Sequence, residues 1–302
     1  MRAIVLLNAD AGSMQSLRGE KTLHLVRDRF TAGGWSAQVC LLPSDAIDRA
    51  LRDAITSSAD AIVVGGGDGT VSRAVAAMAG NAKPLGILPL GTVNLLGRDL
   101  NIAGTLEDAI GSLCAGETRA IDLASVNGRP FHSLSGLGFF AHMAREREKM
   151  RRRWRLQRWI TFAFAAARAF SKMGTLQLEI EIDGAVRPTA ITALLVTNNR
   201  FSRDNWQRER LDEGVLEVHV LGDLPFWRRL RAGIDVMRGR WRDNPLIETL
   251  TVTSLVVRCK RSRLWIALDG ELVRAPVPLK YDIKRAALKV RAPESPVQKR
   301  LS

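Results

Sequence analysis

The stretch VVGGGDGTVSRAV, residues 63–75, decides the fold of the N-terminal half of the chain. An apolar run typical of a buried strand precedes its glycines, and an alanine-rich run typical of a helix follows them. Four of the five residues from Gly65 to Gly69 are glycine. Because glycine lets the backbone turn sharply and approach another group closely, this junction predicts a tight strand-to-helix turn.

Short apolar runs alternate with helical patterns on both sides of this turn. The strand candidates are RAIVLLN, AQVCLL, DAIVVG and PLGILP, and the helix candidates cover residues 16–32, 44–57 and 71–78. Strands and helices that alternate at this spacing predict a parallel sheet with helices on both faces. We therefore expect an α/β domain over residues 1–125.

The pattern changes near residue 120. LQLEIEIDGAVRP alternates strictly between apolar and polar residues, and its Asp183-Gly184 pair is a hairpin signal. Further strand candidates are ITALLVTNN, GVLEVHVL, LIETLTVTSLVVRC, RLWIALDGELV and LKYDIKRAALKVRA, with helices expected near residues 141–171 and 225–240. The sequence therefore predicts a β-rich, antiparallel, sandwich-like domain over residues 126–291. The tail, about 292–302, is expected either to be a loose terminus or to return to the first domain.

The composition points to an anionic partner. The 302 residues carry a formal net charge of +14, which suits nucleic acid, a membrane surface or phosphorylated small molecules. The three cysteines show no metal-binding or disulfide spacing, as expected in a reducing cytoplasm. No signal-peptide pattern and no run of roughly 18 uncharged apolar residues is visible. We expect a cytoplasmic chain that is soluble or attached peripherally to the inner membrane face.

The glycine turn is a candidate phosphate-binding loop, because the N–H groups at a helix N-terminus attract anions. Asp68 would repel phosphates unless a cation lay between, so it suggests Mg²⁺ or a role in proton handling. Thr70 is expected either to cap the helix or to bind a phosphate oxygen. The Walker A and dinucleotide patterns do not fit the stretch, and a tight turn without a ligand remains the alternative.

Two further loops are expected at the same edge of the sheet. ILPLGTVNLLGRDL places Gly91, Thr92 and Asn94 after the fourth strand, and NADAG, residues 8–12, follows the first. Because the carboxyl ends of parallel strands meet at one edge, the three loops predict a nucleotide cleft. The alternative for Thr92 is an N-cap of a helix that begins near Val93.

These motifs in this order, GGGDGT, then PLGTVN and finally DGE near the C-terminus, resemble the bacterial lipid kinases of the diacylglycerol kinase and sphingosine kinase type. The resemblance covers nearly the whole chain and implies a nucleotide domain related to NAD kinase and 6-phosphofructokinase, followed by a β-rich lipid-substrate domain. It also implies ATP and Mg²⁺. The ATP-binding residues that it implies are Asn8, Ala9, Asp10, Ala11, Gly12, Gly65, Gly66, Gly67, Asp68, Gly69, Thr70, Val71, Ser72, Gly91, Thr92 and Asn94.

The resemblance assigns the catalytic general base to Glu271, with Asp269 nearby and Asp68 acting through Mg²⁺ or the phosphates. Taken alone, ALDGEL favours a simple hairpin in which Asp269 makes the turn and Glu271 lies on an exposed strand face. With the resemblance, catalysis is the preferred interpretation, and Glu271 is preferred to Asp269 as the base.

The sequence departs from the family pattern at several positions. Asn8 is followed by Ala9 where many members have proline. In LLPSD, the region where many members have a threonine that contacts the nucleotide, Ser44 is a candidate substitute. NRFSRDNWQRERLDEG, residues 199–214, replaces a glycine-rich loop and an Asp-Asp-Gly that hold a structural Mg²⁺. Glu213 stands at the second of these aspartates, which makes it the remaining candidate for a structural magnesium ligand.

Two basic segments indicate contact with an anionic membrane surface. Residues 145–159 have a net charge of +6 with Trp154 and Trp159, and residues 225–242 have +5 with Trp227 and Trp241. The alternative is a solvated helix face with the tryptophans packed inward.

The prediction for function is a kinase that phosphorylates the hydroxyl of diacylglycerol or a related lipid. The alternatives are another acceptor (a sphingoid base, another lipid alcohol or NAD), a basic nucleic-acid-binding protein, or a silent regulator. No nucleic acid is expected as partner, because no recognised nucleic-acid motif is present. A homodimer is left open.

Overall fold

The computed structural model describes residues 1–12, 19–102, 104–153, 174–202, 207–208, 210–225, 227–228, 231–232, 235 and 241–294. The chain divides into two compact units. Unit 1 comprises Met1–Leu123, Glu209–Asp212 and Lys284–Ser302, and unit 2 comprises Ala124–Arg208 and Glu213–Ile283.

Unit 1 alternates strands and helices in the order that its apolar pattern predicts. Its elements are β1 (Arg2–Asn8), α1 (Gly19–Ala32), β2 (Ser36–Leu42), α2 (Ile47–Thr56), β3 (Ala61–Gly66), α3 (Asp68–Met78), β4 (Leu85–Pro89), α4 (Leu95–Asp99), α5 (Leu106–Ala115) and β5 (Glu117–Val126), the last of which ends in unit 2. The pattern did not predict α5 or β5, and α4 corresponds to the helix that the sequence offered from near Val93.

Unit 2 consists mostly of strands. Its elements are β6 (Arg129–Phe131), β7 (Leu134–Gly138), α6 (Phe139–Arg153), β8 (Leu176–Ile182), β9 (Ala185–Asn198), β10 (Leu216–Gly222), a single turn of 3-10 helix (Trp241–Asp243), β11 (Ile247–Val252), β12 (Ser254–Arg258), β13 (Arg263–Leu268), β14 (Glu271–Pro276) and β15 (Leu279–Ala292), the last of which ends in unit 1.

The sheet of unit 1 is parallel, as predicted. β1 pairs with β2 and β3, and β3 pairs with β4, so the strand order is β2-β1-β3-β4. The end of β15 extends this sheet beside β4, where Val290 is opposite Leu85. All six residues of β3 are buried, because helices cover both faces of such a sheet.

The strands of unit 2 are antiparallel, and three of their hairpins have two-residue turns. Asn127-Gly128 joins β5 to β6, Asp183-Gly184 joins β8 to β9, and Asp269-Gly270 joins β13 to β14. Every one of these six residues has positive φ, which is the backbone of the turn that best matches the twist of a hairpin. The hairpin prediction at Asp183-Gly184 is confirmed.

Two strand predictions are wrong in their limits. The runs around 176–188 and 191–199 were expected to form separate strands after the hairpin, but β9 continues through both, with Pro188 inside it, and its pairing with β8 runs from Ala185 to Ile191, across the expected break. The run 246–259 is not one strand, since β11 pairs with β10 whereas β12 pairs with β8 and β15.

Some predicted helical residues lie outside the described part of the chain. These are the start of the helix predicted over 16–32, the second half of the one near 141–171 and most of the one near 225–240. The tail from residue 295 onward lies outside it too.

Helix α5 offers a matched test of local helix energetics. Thr105 accepts a hydrogen bond from the Asp108 N–H at 3.2 Å, and the Asp108 carboxylate accepts one from the Thr105 N–H at 3.1 Å. We expect Thr105→Ala to lower the free energy of unfolding by about 1 kcal/mol. Gly111 is exposed on the same helix with open space where a Cβ would lie, so Gly111→Ala should raise it by up to about 1 kcal/mol. Urea unfolding followed by circular dichroism measures both, and equal midpoints for the two variants would contradict the prediction.

A buried charge cluster in unit 2 predicts how stability depends on pH. Glu217 is 1% exposed, lies 2.6 Å from Arg242 and 3.2 Å from the His219 ring, and accepts the Phe201 N–H. Burial acts to raise the pKa of Glu217, but the hydrogen bond from His219 and the ion pair with Arg242 lower it on balance.

Since the pKa of Glu217 is lower in the folded chain, its contribution is present above its usual value of 4.5 and is lost as the pH falls through the folded pKa. We expect Glu217→Gln to lower the free energy of unfolding by about 3 kcal/mol at pH 7, because it leaves the Arg242 guanidinium without its anionic partner. Urea unfolding at pH 7 and at progressively lower pH should show this difference shrinking below pH 4.5. A difference that is constant over this range would contradict the assignment.

Candidate nucleotide and catalytic sites

Asn8, at the end of β1, connects the loops that follow three neighbouring strands. It is 5% exposed, and its amide donates to the Thr70 hydroxyl at 2.8 Å. Its carbonyl oxygen accepts the Asp10 N–H at 2.9 Å and the Ser44 hydroxyl at 3.0 Å. The loops after β1, β2 and β3 are therefore held together at the carboxyl end of the sheet, as the sequence predicts.

Thr70 does not cap α3. It lies inside the helix, is 4% exposed and hydrogen-bonds to Asn8, so its main contact is with the loop after β1. The N-cap of α3 is Gly67, which has no side chain to satisfy the first N–H groups. The partial positive charge of the N-terminus of this 11-residue helix therefore faces the loop cluster without a side-chain cap.

The glycines of the turn are required by neighbouring protein groups. Among the described residues, those with positive φ do not include Gly65, Gly66 or Gly67. A Cβ at Gly66 would lie 2.5 Å from the Thr70 Cβ, and one at Gly91 would lie 2.6 Å from the Gly67 Cα. The close approach predicted for this turn is therefore an approach between the loops after β3 and β4.

Asp68 caps α4 from a distant part of the sequence. Its carboxylate accepts the Leu95 N–H at 2.7 Å and the Asn94 N–H at 3.2 Å. The alternative of an N-cap at Thr92 is wrong, because α4 begins at Leu95 and Thr92 is exposed two residues before the Asn94 N-cap. The charge of Asp68 thus meets the positive end of α4.

Asn94 closes the loop that follows β4. Its backbone is left-handed, with φ of 50°, and its amide both accepts the Gly91 N–H at 2.8 Å and donates to the Gly91 carbonyl at 2.9 Å. Thr92 and Val93 project from this loop as exposed residues. The structure therefore gives Gly91 and Asn94 a role in shaping the loop and leaves Thr92 accessible.

The remaining residues of the implied nucleotide site fall into two groups, those that are buried and those that solvent can reach. Ala11 and Val71 are buried, and Ala9 donates its N–H to the Leu42 carbonyl. Asp10 and Gly12 are exposed, and Gly69 and Ser72 are half-buried. Accessible backbone and side-chain groups thus surround the start of α3, while the buried members maintain the loops.

Arg73 fixes the loop after β2. Its guanidinium donates to the Ser44 carbonyl at 2.7 Å and lies 3.4 Å from the Asp48 carboxylate. The Ser44 N–H donates to the Asp10 carboxylate at 3.0 Å. Ser44 is therefore held at the loop cluster, where the sequence identified it as a substitute for threonine.

In unit 2, Asp269 is buried and binds backbone groups. It is 3% exposed, and its carboxylate accepts the N–H groups of His132, Ser133 and Leu134 at 2.9–3.1 Å. The His132 Nε2 lies 3.5 Å from the same carboxylate. This environment matches a residue that anchors the hairpin turn rather than one that meets a substrate.

Glu271 follows that turn as the first residue of β14. Its side chain is 46% exposed, and its carboxylate lies 3.7 Å from the Arg129 guanidinium. The anchored Asp269-Gly270 turn therefore presents an accessible carboxylate beside a cation. Of the acids in the DGE motif, Glu271 is the one that solvent and solutes can reach.

The surroundings of Glu213 do not fit a magnesium site. Its carboxylate accepts the Arg200 N–H at 3.1 Å and lies 3.9 Å from the Arg200 guanidinium, a cation that would repel a metal. Within the described ranges, no three His, Cys, Asp or Glu side chains form a group that could hold a metal ion.

The sequence analysis did not single out Asp122, a buried acid of β5. It is 2% exposed, and its carboxylate accepts the Ala286 N–H at 2.9 Å. The available signal was the position of this acid inside the apolar run AIDLASV. A carboxylate is rarely buried without hydrogen-bond partners, so an acid in such a run indicates a specific partner elsewhere in the chain.

The basic segments are only partly described, and Trp154 and Trp159 lie outside the described residues. Trp227 is 75% exposed, whereas Trp241 is 2% exposed and packs edge-on against Phe201 and His219. The membrane-facing role expected of Trp241 is therefore wrong. None of the described helices is both long enough and apolar enough to cross a membrane.

Comparison with curated proteins gives relatives along most of the chain. The chain is 27% identical to the "Probable lipid kinase YegS-like" of Pseudomonas fluorescens (87% of this chain, 88% of that protein) and 24% identical to the diacylglycerol kinase of Bacillus subtilis (83% and 84%). A shorter match, 32% identical to the uncharacterized protein sll0036 of Synechocystis sp., spans 45% of this chain and 31% of that protein.

Solved structures share the fold. A diacylglycerol kinase from Bacillus anthracis str. Sterne has a TM-score of 0.69 over 96% of each chain at 15% identity, and a second crystal structure from the same strain has a TM-score of 0.76 over 96% of each chain at 17% identity.

Two family domains match in the order that the motifs imply. Residues 2–126 match the diacylglycerol kinase catalytic domain, and residues 136–292 match the YegS C-terminal NAD kinase beta sandwich-like domain. The predicted fold class, an α/β domain with parallel strands followed by a β sandwich, is confirmed. The chain belongs to the diacylglycerol kinase family of lipid kinases, whose two characteristic domains it carries in sequence.

Proposed function

We propose that this chain is an ATP- and Mg²⁺-dependent lipid kinase that transfers the γ-phosphoryl group of ATP to the hydroxyl of diacylglycerol or a related lipid. The observation that supports it most directly is the loop cluster of unit 1. There the N-terminus of α3 lacks a side-chain cap, and Asp68 and Asn8 hold the loops around it.

The N-terminus of α3 would hold the phosphates of ATP. Backbone N–H groups at the start of a helix donate to phosphate oxygens, and the helix dipole favours their charge. Gly67 and Gly69 leave this backbone without bulky side chains. Thr92, exposed on the loop after β4, is the side chain that supports a further contact to the nucleotide.

Magnesium fits beside Asp68. Each carboxylate oxygen of Asp68 accepts one backbone N–H and has capacity for a second interaction, and Mg²⁺ in kinases is commonly held by one or two carboxylates together with phosphates and water. The ion would neutralise charge on the transferring phosphoryl group. Because the N–H groups of Asn94 and Leu95 fix the position of the Asp68 carboxylate, its oxygens would need little rearrangement to bind the ion.

Glu271 would accept the proton of the attacking hydroxyl. The acceptor oxygen then forms a bond to the γ-phosphorus, the bond to the β-γ bridging oxygen breaks, and ADP leaves. Asp269 acts on Glu271 through the turn, because its buried carboxylate fixes the backbone from which Glu271 projects. Asp269 is thus proposed as a positioning residue and Glu271 as the catalytic one.

The first test is transfer of radiolabelled γ-phosphate from ATP to a bacterial lipid extract in the presence of Mg²⁺. We expect the wild-type chain to label a lipid, whose identity would name the acceptor. A sphingoid base, a polyisoprenoid-like alcohol and NAD, offered separately, test the alternative acceptors. ATP binding without any labelled product would favour a regulator that keeps the fold.

Substitution of Glu271 tests the catalytic assignment. We expect Glu271→Gln to lower turnover about 10²–10⁴-fold, because it removes the general base, with little change in the KM for ATP. Glu248→Gln is the matched control, since Glu248 is 44% exposed and pairs with Arg187 much as Glu271 pairs with Arg129. Near-normal turnover of Glu271→Gln in the phosphate-transfer assay would refute the assignment.

Substitution of Asp68 separates its two proposed roles. Asp68→Asn retains an oxygen that can accept a helix N–H but removes the charge that would bind Mg²⁺. We expect the Mg²⁺ concentration at half-maximal rate to rise at least about tenfold, measured by titrating Mg²⁺ at fixed ATP. Asp53→Asn, at an exposed position of α2, is the control carboxylate of unit 1. If the Mg²⁺ concentration at half-maximal rate is unchanged while the melting temperature falls, Asp68 caps α4 and does not bind Mg²⁺.

A further inference from the structure

Strand β13 carries an exposed tryptophan, Trp265. Leu264 and Ile266 are 5% and 0% exposed, whereas Trp265, between them, is 45% exposed. Alternate strand residues face opposite sides of a sheet, so Leu264 and Ile266 face the core and Trp265 faces outward. The described residues offer few other exposed side chains of this size, and Trp265 is held on a strand rather than on a loop.

The register of the β13–β14 hairpin places cationic and apolar groups beside Trp265. Arg274 is directly opposite Trp265, and Pro276 is directly opposite Arg263. Residues opposite one another share a face of the sheet, so these four side chains lie together on the outer face. All four are exposed.

The loop before β13 adds further positive charge. Lys260 and Arg261 are exposed in this loop, and the Val277 N–H donates to the Ser262 carbonyl at 3.0 Å, which fixes the loop against the end of β14. We call the resulting surface the Trp265 patch. It consists of Lys260, Arg261, Arg263, Trp265, Arg274 and Pro276.

The cations of this patch are not neutralised within the described part of the chain. There, none of Lys260, Arg261, Arg263 and Arg274 forms an ion pair with a carboxylate, whereas nearby Arg258 pairs with Glu181 and Arg129 pairs with Glu271. A patch with four positive charges, no acid and a half-exposed indole is complementary to an anionic surface that has an apolar layer beneath it.

We propose that the Trp265 patch docks this chain onto an anionic phospholipid surface. An indole ring favours the boundary between headgroups and acyl chains, where arginine and lysine meet lipid phosphates. The inference rests on the proposed function in one respect, since a diacylglycerol-like acceptor lies in a bilayer and must be reached there. The patch lies on the paired strands β13 and β14 and on the loop before β13, so no refolding is needed to present these groups.

Nucleic acid is the competing anionic partner. Its phosphates would also attract the four cations, but single-strand binding relies on successive aromatic side chains on which several bases stack. The patch offers one indole, and the proline next to it suits an acyl layer better than a base. The observations therefore favour lipid, and DNA becomes a contrary outcome of the test.

The experiment is sedimentation of the full chain with vesicles of phosphatidylcholine alone or with one third phosphatidylglycerol. We expect binding to the anionic vesicles only. Arg263→Gln with Arg274→Gln should weaken it about 25-fold, since each charge contributes about fivefold, corresponding to about 1 kcal/mol. Trp265→Ala should weaken it about tenfold. Arg285→Gln and Val186→Ala, an exposed cation and an exposed apolar residue elsewhere, should bind like the wild type.

A parallel assay with short-chain diacylglycerol in neutral detergent micelles separates this proposal from the proposed function. Patch variants with wild-type activity there and weakened vesicle binding support docking through the patch. Patch-dependent vesicle binding without any phosphorylation also supports docking while refuting the kinase proposal. Docking is refuted if the patch variants bind vesicles like the wild type, or if Arg285→Gln weakens binding as much as the double variant of Arg263 and Arg274. It is also refuted if the chain binds duplex DNA through the patch and binds no vesicles.

Discussion

The hydrogen bonds that the Asp68 carboxylate accepts from the N-terminus of α4 are the constraint on which the loop cluster of unit 1, the proposed nucleotide site, depends. They join the loop after β3 to the loop after β4. Gly67 and Gly91 approach so closely there that a side chain at Gly91 would collide with Gly67. Asn8 extends the same arrangement to the loops after β1 and β2. Four loops on separate strands thus become one surface around the start of α3.

The architecture of unit 1 could be predicted because its signals are local. The apolar runs give β1 to β4, and the carboxyl ends of parallel strands must meet at one edge, which brings Asn8, Gly67 and Gly91 together. The hairpin at Asp183-Gly184 was likewise predictable from two residues, since both need positive φ. The strand β9 was harder, because its length depends on which strands lie beside it.

The roles of individual polar residues could not be predicted, because their partners are distant in the sequence. Asp68 binds groups 26 and 27 residues away, and Asp269 binds groups 135–137 residues away. Both aspartates resemble catalytic acids in sequence, yet both hold backbone N–H groups of another segment. Thr70 is similar, since its position suggests a cap while its hydroxyl meets Asn8.

The course of β15 has a consequence for how the chain reaches its native state. This strand begins in unit 2 and ends in unit 1, where Val290 pairs with Leu85 and the Arg291 guanidinium donates to the Leu113 and Cys114 carbonyls. The sheet of unit 1 therefore lacks this strand until residue 290 has left the ribosome. Synthesis from the N-terminus cannot complete the first unit before the second, and a fragment that ends after β5 would expose the edge of β4.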